Sequence, residues 1–272
     1  MRKFFRTYTR FTIAAMQDAA IYRVNFLFSI VGSLFACFVA FFLWNAVFTS
    51  SEQDTFMGFT FATMVSYIFL SFFTGTATSS GSGWSMAHEI KSGDIAMKII
   101  RPVNFKMAYL FEEIGSKLMN TQFIFLIALV GIEIFHYHAA GTIQFNLGFF
   151  AIYLISAMLA LLISFYFDIC FGFLAFIFKN IWGLQMMKDV VVGFLSGAMI
   201  PLVFLPDQMQ NILTLLPFSS LIFTPVMIYL GMFNTSQILV ALSLQVFWLG
   251  FFIILSELIW RSVIKRLSIQ GG

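Results

Sequence analysis

Few of the 272 residues have the types and spacing that chemistry requires. No glycine is followed by lysine, so the phosphate loop G-x-x-x-x-G-K-[ST] is absent, and with it ATPase activity of that class. His88-Glu89 continues as Ile-Lys-Ser, whereas a zinc-protease helix needs a second histidine one turn on. Ser92-Gly93-Asp94 lacks the earlier glycine of an intramembrane aspartyl protease and sits among charges. His136 and His138 have a spacing that a metal accepts, but with no cysteine or third histidine near them they read as solvated loop residues. Asn234-Thr-Ser236 fits a glycosylation acceptor, a pattern short enough to arise by chance. No metal site is expected. That leaves Asp168, about 15 Å of helix from the inner end of an apolar run. A carboxyl group at that depth is costly and must face protein or water. It is either an ion-coupling acid or a structural one. The expectation is a protonated or hydroxyl-bonded group that serves packing, with no need of Lys179 or Lys188.

The elements that must position these residues are membrane helices. Hydrophobic residues make up 60% of the chain, against roughly 45–50% in soluble domains. Charged residues make up 10%, and mean hydropathy is +0.93. A soluble globule could not cover so much apolar surface. Soluble enzyme, secreted domain and disordered chain are thereby excluded. Cys37 and Cys170 lie in apolar runs and read as small core residues.

A spanning helix needs about 20 apolar residues. Runs poor in charge place spans at 24–48, 56–73, 115–135, 147–178, 181–200 and 238–260. The polar tail 75–83 of the second run, rich in Gly, Ser and Thr, suits close packing or a water-lined path. Segment 202–233 is different. Pro201, Pro206, Pro217 and Pro225 fall in or beside it, and each removes a backbone donor that a lipid-facing helix needs. It is expected to enter and leave the membrane on one side as a re-entrant helical hairpin. A seventh, kinked span is the alternative. With six spans and the N-terminus inside, all 15 Lys and Arg fall on the inner side, while Glu52, Asp54, Glu133 and Asp207 lie outside. Seven spans would expel Arg261, Lys265 and Arg266. Six is the better fit.

The first 23 residues hold no uninterrupted apolar run of a signal peptide. At 100° per residue, Arg2, Lys3, Arg6 and Arg10 share one face opposite Phe4, Phe5, Tyr8 and Phe11. That pattern suits an interfacial helix on an anionic leaflet. The inner segment 84–105 is too polar to insert and too apolar for a plain linker. Its apolar residues Met86, Ile90, Ile95, Met97 and Ile99 flank a Ser92-Gly93 break, and Pro102 should stop the second piece. A docking element for another protein fits it, with a partnerless connector as the plain alternative. Gly193 and Gly197 form a small-xxx-small pattern in the fifth span.

These residues carry a resemblance. Glu89-Ile-Lys-Ser-Gly-Asp-Ile95, Ile99-Ile-Arg-Pro-Val103, Phe167-Asp168 and Phe173-Leu-Ala-Phe176 occur in order. They are followed by Leu195-Ser-Gly-Ala-Met-Ile-Pro-Leu202, Leu216-Pro-Phe218, Thr224-Pro225 and Gly231. Together they resemble the permease subunit of a type-2 ABC exporter, in the small bacterial branch whose permeases often occur as two related subunits with a separate ATPase. The resemblance covers essentially the whole chain. It implies an all-α polytopic membrane protein with one permease domain over 1–272 and both termini cytoplasmic, in the cell membrane. It implies an interfacial helix at 1–23, a coupling segment at 84–105 and a re-entrant region at 201–233. His88, Glu89, Lys91, Ser92, Gly93, Asp94 and Met97 would then seat in the ATPase. The implied partners are ABC-type ATPase subunits and a second, identical or paralogous permease in the lipid bilayer, with no nucleic acid. This chain would bind no cofactor and would not be an enzyme itself, ATP and Mg belonging to the partner subunit. Transport would proceed by alternating access. An ion- or proton-coupled secondary transporter using Asp168 remains open, as does a membrane-embedded enzyme.

Overall fold

Inside a bilayer every backbone N–H and C=O must be satisfied within the chain, and helices do this segment by segment. The structure, a computed structural model, describes residues 2–21, 23–51, 55–178 and 180–264. The side chains of 2–5, 23, 25, 26, 29, 33 and 122–124 are excepted. Glu52, Asp54, Lys179, Lys265 and Arg266 therefore lie outside the described residues, as do the side chains of Arg2 and Lys3. The fold is all-α apart from one tiny hairpin. Helix α1 covers Arg2–Ile21, α2 Arg23–Ser51, α3 Phe61–Thr78, α4 Ser82–Ser92, α5 Ile95–Ile100 and α6 Phe105–Ala140. After these come α7 Leu147–Gly172, α8 Trp182–Leu195, α9 Asp207–Leu215, α10 Phe223–Tyr229 and α11 Thr235–Val263. Strands β1 (Thr55–Phe56) and β2 (Phe59–Thr60) pair antiparallel around Met57-Gly58, both at positive φ as a two-residue hairpin turn requires.

Among the described residues, four helical stretches are long and apolar enough to cross a membrane: Ile30–Ser51, Phe61–Ser92, Leu147–Phe176 and Thr235–Val263. The two halves of α6, Phe105–Thr121 and Phe125–Ala140, make a fifth across a 46° bend. The chain is a multi-pass membrane protein. The run expected as a span over 181–200 holds only α8, whose 14 residues reach about 21 Å. The helix stops because the chain turns at Gly197, with φ +79°. Tyr67 Oη donates to the Gly197 carbonyl at 2.7 Å, and Phe223 N–H donates to the Ser196 carbonyl at 3.0 Å. A Cβ at Gly197 would lie 3.1 Å from Phe223 Cβ, so glycine is needed there.

The core lies between α3, α7 and α10, where Tyr67, Tyr153, Phe165 and Phe223 are fully buried. Several polar groups in it are paired, as a dry interior favours, although Ser71 Oγ on α3 is buried without a hydrogen-bond partner among the described residues. Thr74 and Tyr153 hydroxyls meet at 3.0 Å. Gln245 on α11 accepts from Ser156 Oγ at 3.0 Å and donates to the Ser220 carbonyl at 2.8 Å. Cys37 and Cys170 are buried, as expected of core residues.

Candidate functional site

The segment between α3 and α6 folds as two short helices with a sharp corner. Helix α4 ends at Gly93, whose φ of +88° is a left-handed cap that other residues adopt at a cost of about 1 kcal/mol or more. Helix α5 runs only to Ile100, just before Pro102. The expected break and stop are both present. Met86 and Ile95 are buried on the inner side of this corner. His88, Lys91, Ser92, Gly93, Asp94 and Met97 face outward as one patch, with Met97 65% exposed.

Glu89 departs from the expectation. It points back into the protein, where Lys98 Nζ lies 2.8 Å from Oε1 and Tyr109 Oη donates to Oε2 at 2.5 Å. Lys98 also reaches Glu112 at 3.4 Å and sits 3.9 Å over the Tyr109 ring. Glu89 therefore braces the corner against α6, and the exposed patch loses one of its seven expected members. The cause is spacing: Glu89 lies three residues from Met86 and shares its inward face.

The N-terminal end of α4 is fixed to α7. Asp168, buried to 1% exposure, accepts from Gly83 N–H at 2.7 Å through Oδ2. Its Oδ1 is ion-paired with Lys188 Nζ of α8. Hydroxyl partners were expected for this acid, and the structure supplies an ammonium and a backbone amide instead. Lys188 also lies 3.0 Å from Asp189. The sequence did carry a signal, because Lys188 interrupts an apolar run as Asp168 does, but nothing linear aligns the two. Ser80 and Ser82 hydroxyls donate to Glu113 Oε2, while Lys117 donates to the Thr76 carbonyl at 2.8 Å. The polar run 75–83 thus packs against α6 and α7, with cavities beside it. A cavity of about 620 Å³ beside it is lined by Asp18, Ser82, Ser85, Glu112, Glu113 and Lys117. Glu112 and Glu113 went unremarked in the sequence, although paired acids in an apolar helix are a legible signal.

Helix α1 lies along α6. Tyr8 stacks on Phe111 at 5.3 Å and its hydroxyl accepts from Asn104 N–H at 2.9 Å. Arg6 and Arg10 are exposed on the opposite side.

The proline-rich stretch is a chain of short pieces. Pro206 precedes α9, and Pro225 occupies the first turn of α10, where its missing N–H is no loss. Pro201, Pro217 and Pro225 are buried and Pro206 is exposed. Phe204 packs among Trp44, Phe56 and Phe59, beside the β-hairpin. The Leu215 carbonyl accepts from Trp248 Nε1 at 3.0 Å, and the Leu221 carbonyl accepts from Thr78 Oγ1 at 3.2 Å. Tyr229 then donates to Glu133 at 2.8 Å, near the α6–α7 loop. His136 was expected as a solvated loop residue, but it lies in the last turns of α6, buried, with Nδ1 3.0 Å from the Thr142 carbonyl of that loop.

Comparison with known proteins adds one match. Residues 34–271 fit the family described as ABC-2 family transporter protein, which spans α3 to α11 entire. No curated protein matches the chain. The chain therefore belongs to the ABC-2 transporter family, as a membrane component of an ABC transporter.

Proposed function

We propose that the chain is the permease of an ATP-driven exporter, with six spans and both ends in the cytoplasm of a bacterial cell. Two permeases, identical or paralogous, stand over two ATPase subunits that hold ATP and Mg, and cargo moves outward by alternating access. The whole of 1–272 acts as one permease domain. Residues 1–23 lie on the inner leaflet through Arg2, Lys3, Arg6 and Arg10. Residues 84–105 are the coupling segment.

One observation carries this reading: the corner at Gly93 presents an exposed patch and is braced from behind by Glu89, Lys98, Tyr109 and Glu112. An element that merely connected two helices would not require such support. The path of 201–233 favours a re-entrant hairpin. It starts beside the β-hairpin at Phe204 and passes Trp248, about 20 Å along α11. It returns to Tyr229 and Glu133 before α11 begins at Thr235, capped by Asn234. Asp168 is engaged by Lys188 and Gly83, which leaves the secondary-transporter reading without the free acid that motivated it.

The test is co-purification of the tagged chain with the ATPase encoded beside it. Gly93→Trp and Asp94→Lys should each lower recovery of that ATPase several-fold while membrane insertion is unchanged. Normal recovery with both variants overturns the docking role. Topology is checked separately with an impermeant thiol reagent, in a background free of Cys37 and Cys170. Ser51→Cys and Asn234→Cys should label from outside. Ser92→Cys and Gln270→Cys, the latter outside the described residues, should label only after permeabilisation. Labelling of Gln270→Cys from outside overturns six spans and revives seven.

A further inference from the structure

Asp168 sits where three helices meet, and its two oxygens do separate jobs. Oδ2 holds Gly83 N–H in the first turn of α4, and Oδ1 holds Lys188 of α8, while the residue itself belongs to α7. The α4–α7 contact is backbone on backbone. A Cβ added at Gly83 would collide with the Asp168 carbonyl oxygen and lie 2.9 Å from its carboxyl carbon. A Cβ at Gly172, one turn further along α7, would lie 3.0 Å from Gly83 Cα. Two glycines thus let α4 seat directly on α7, with Asp168 fastening the seat.

Helix α8 is attached differently. Among the described residues it makes no extensive backbone contact with another element. Its two buried residues are polar, Gln185 and Lys188, and Gln185 finds no hydrogen-bond partner among the described residues. A surface link from Trp84 Nε1 to Asp189 is long, at 3.5 Å, and Asp189 is 54% exposed. A charge-assisted bond between buried side chains is far stronger than such a surface contact. Lys188 is therefore the main polar fastener of α8, beside the partly buried Val192 and Leu195. Helix α4 is about 16 Å long, with Asp168 at one end and the exposed corner at the other.

The geometry points to Asp168 as the positioning residue that passes displacement of the Gly93 corner into α7 and α8. This rests on the docking reading above and gives that reading its route into the membrane. A push on the corner rotates α4 about its Gly83 end, and the carboxylate, held by both neighbours, carries the motion to Lys188. Asp168 touches no cargo in this scheme. It works as a joint.

The experiment uses the full chain in complex with its co-purified ATPase, in lipid, with buried Cys37 and Cys170 replaced by alanine. Nitroxide labels at Lys91→Cys on the corner and Met187→Cys on α8 are each paired with a reference label at Leu239→Cys on α11. Distances are measured without nucleotide and with ATP plus orthovanadate. In the otherwise unmodified chain both distances should shift. The double variant Asp168→Asn/Lys188→Met leaves no buried charge unpaired and keeps an acceptor for Gly83 N–H, so it should assemble. It should retain the corner shift and lose the α8 shift. Lys188→Arg, which keeps the ion pair, should restore it, a rescue that a purely structural role does not require. Gly83→Ala should also lose the α8 shift, and where it fails to assemble the double variant decides. An undiminished α8 shift in the double variant overturns the joint alone. Absence of any corner shift in the unmodified chain overturns the docking reading, and the joint with it.

Discussion

Replacing Asp168 by leucine should abolish recovery of a monodisperse permease from detergent. The substitution leaves Lys188 as a buried ammonium with no partner on α7 and strands Gly83 N–H in the same stroke. Removing one member of a buried pair costs about 3–5 kcal/mol, and the half-exposed Asp189, 3.0 Å from Lys188, offsets only part of that. An unmet buried amide adds about 1–3 kcal/mol. Asp168→Asn should be milder for the amide but equally harsh for Lys188. Adding Lys188→Met to Asp168→Leu should recover much of the loss, since a buried pair exchanged for apolar groups of similar volume is often neutral. Size-exclusion profiles and thermal unfolding of the three variants decide it. A stable Asp168→Leu protein would mean that Lys188 can swing to water, and the pair is then not structural.

The second large effect is expected at Gly115, where α1 crosses α6. A Cβ there would collide with the Thr12 carbonyl oxygen and stand 3.0 Å from Thr12 Cα and carbonyl carbon. These are backbone atoms and cannot rotate aside. Overpacking of ordinary side chains costs about 1–3 kcal/mol, and a backbone clash lies at the upper end or beyond. Gly115→Val should therefore lift α1 from α6 while leaving the spans inserted. Tyr8→Cys with Phe111→Cys, joined by a bifunctional thiol reagent that spans the space of the two rings, reports this, since those rings stack at 5.3 Å. With Gly115→Val the cross-link yield should fall by an order of magnitude. An unchanged yield means that the helices do not pack there.

Much of this architecture could be read from the chain. The bilayer imposes simple rules on charge and on unpaired backbone, and both leave marks in linear order. The corner at Gly93 was legible because Ser-Gly before Asp94 and the proline at 102 are local punctuation. The short pieces around Pro206, Pro217 and Pro225 were legible for the same reason. What escaped was pairing across distance. Lys188 lies twenty residues from Asp168 in sequence and touches it in space, and no periodicity announces that α8 turns this face inward. Glu89 was misjudged similarly: a charged residue beside an exposed histidine reads as surface until Tyr109 and Lys98 close over it. The length of α8 was also out of reach, being set by Tyr67 from a distant helix rather than by its own composition.

Helix α6 has a consequence for how salt acts on this protein. Its 36 residues measure about 54 Å along the axis, while the hydrocarbon layer is about 30 Å thick. Even with its bend, part of the helix must stand clear of the lipid tails. Glu112 and Tyr109 lie near its start, so under the proposed topology the brace around Glu89 and Lys98 falls in the wet headgroup zone, with both ion-paired side chains 22% exposed. Ions reach it there, and at physiological ionic strength charges are screened over about 8 Å. The Asp168–Lys188 pair, at 2% and 5% side-chain exposure, is far better shielded. Ionic strength therefore loosens the mounting of the exposed corner more than the seat beneath it.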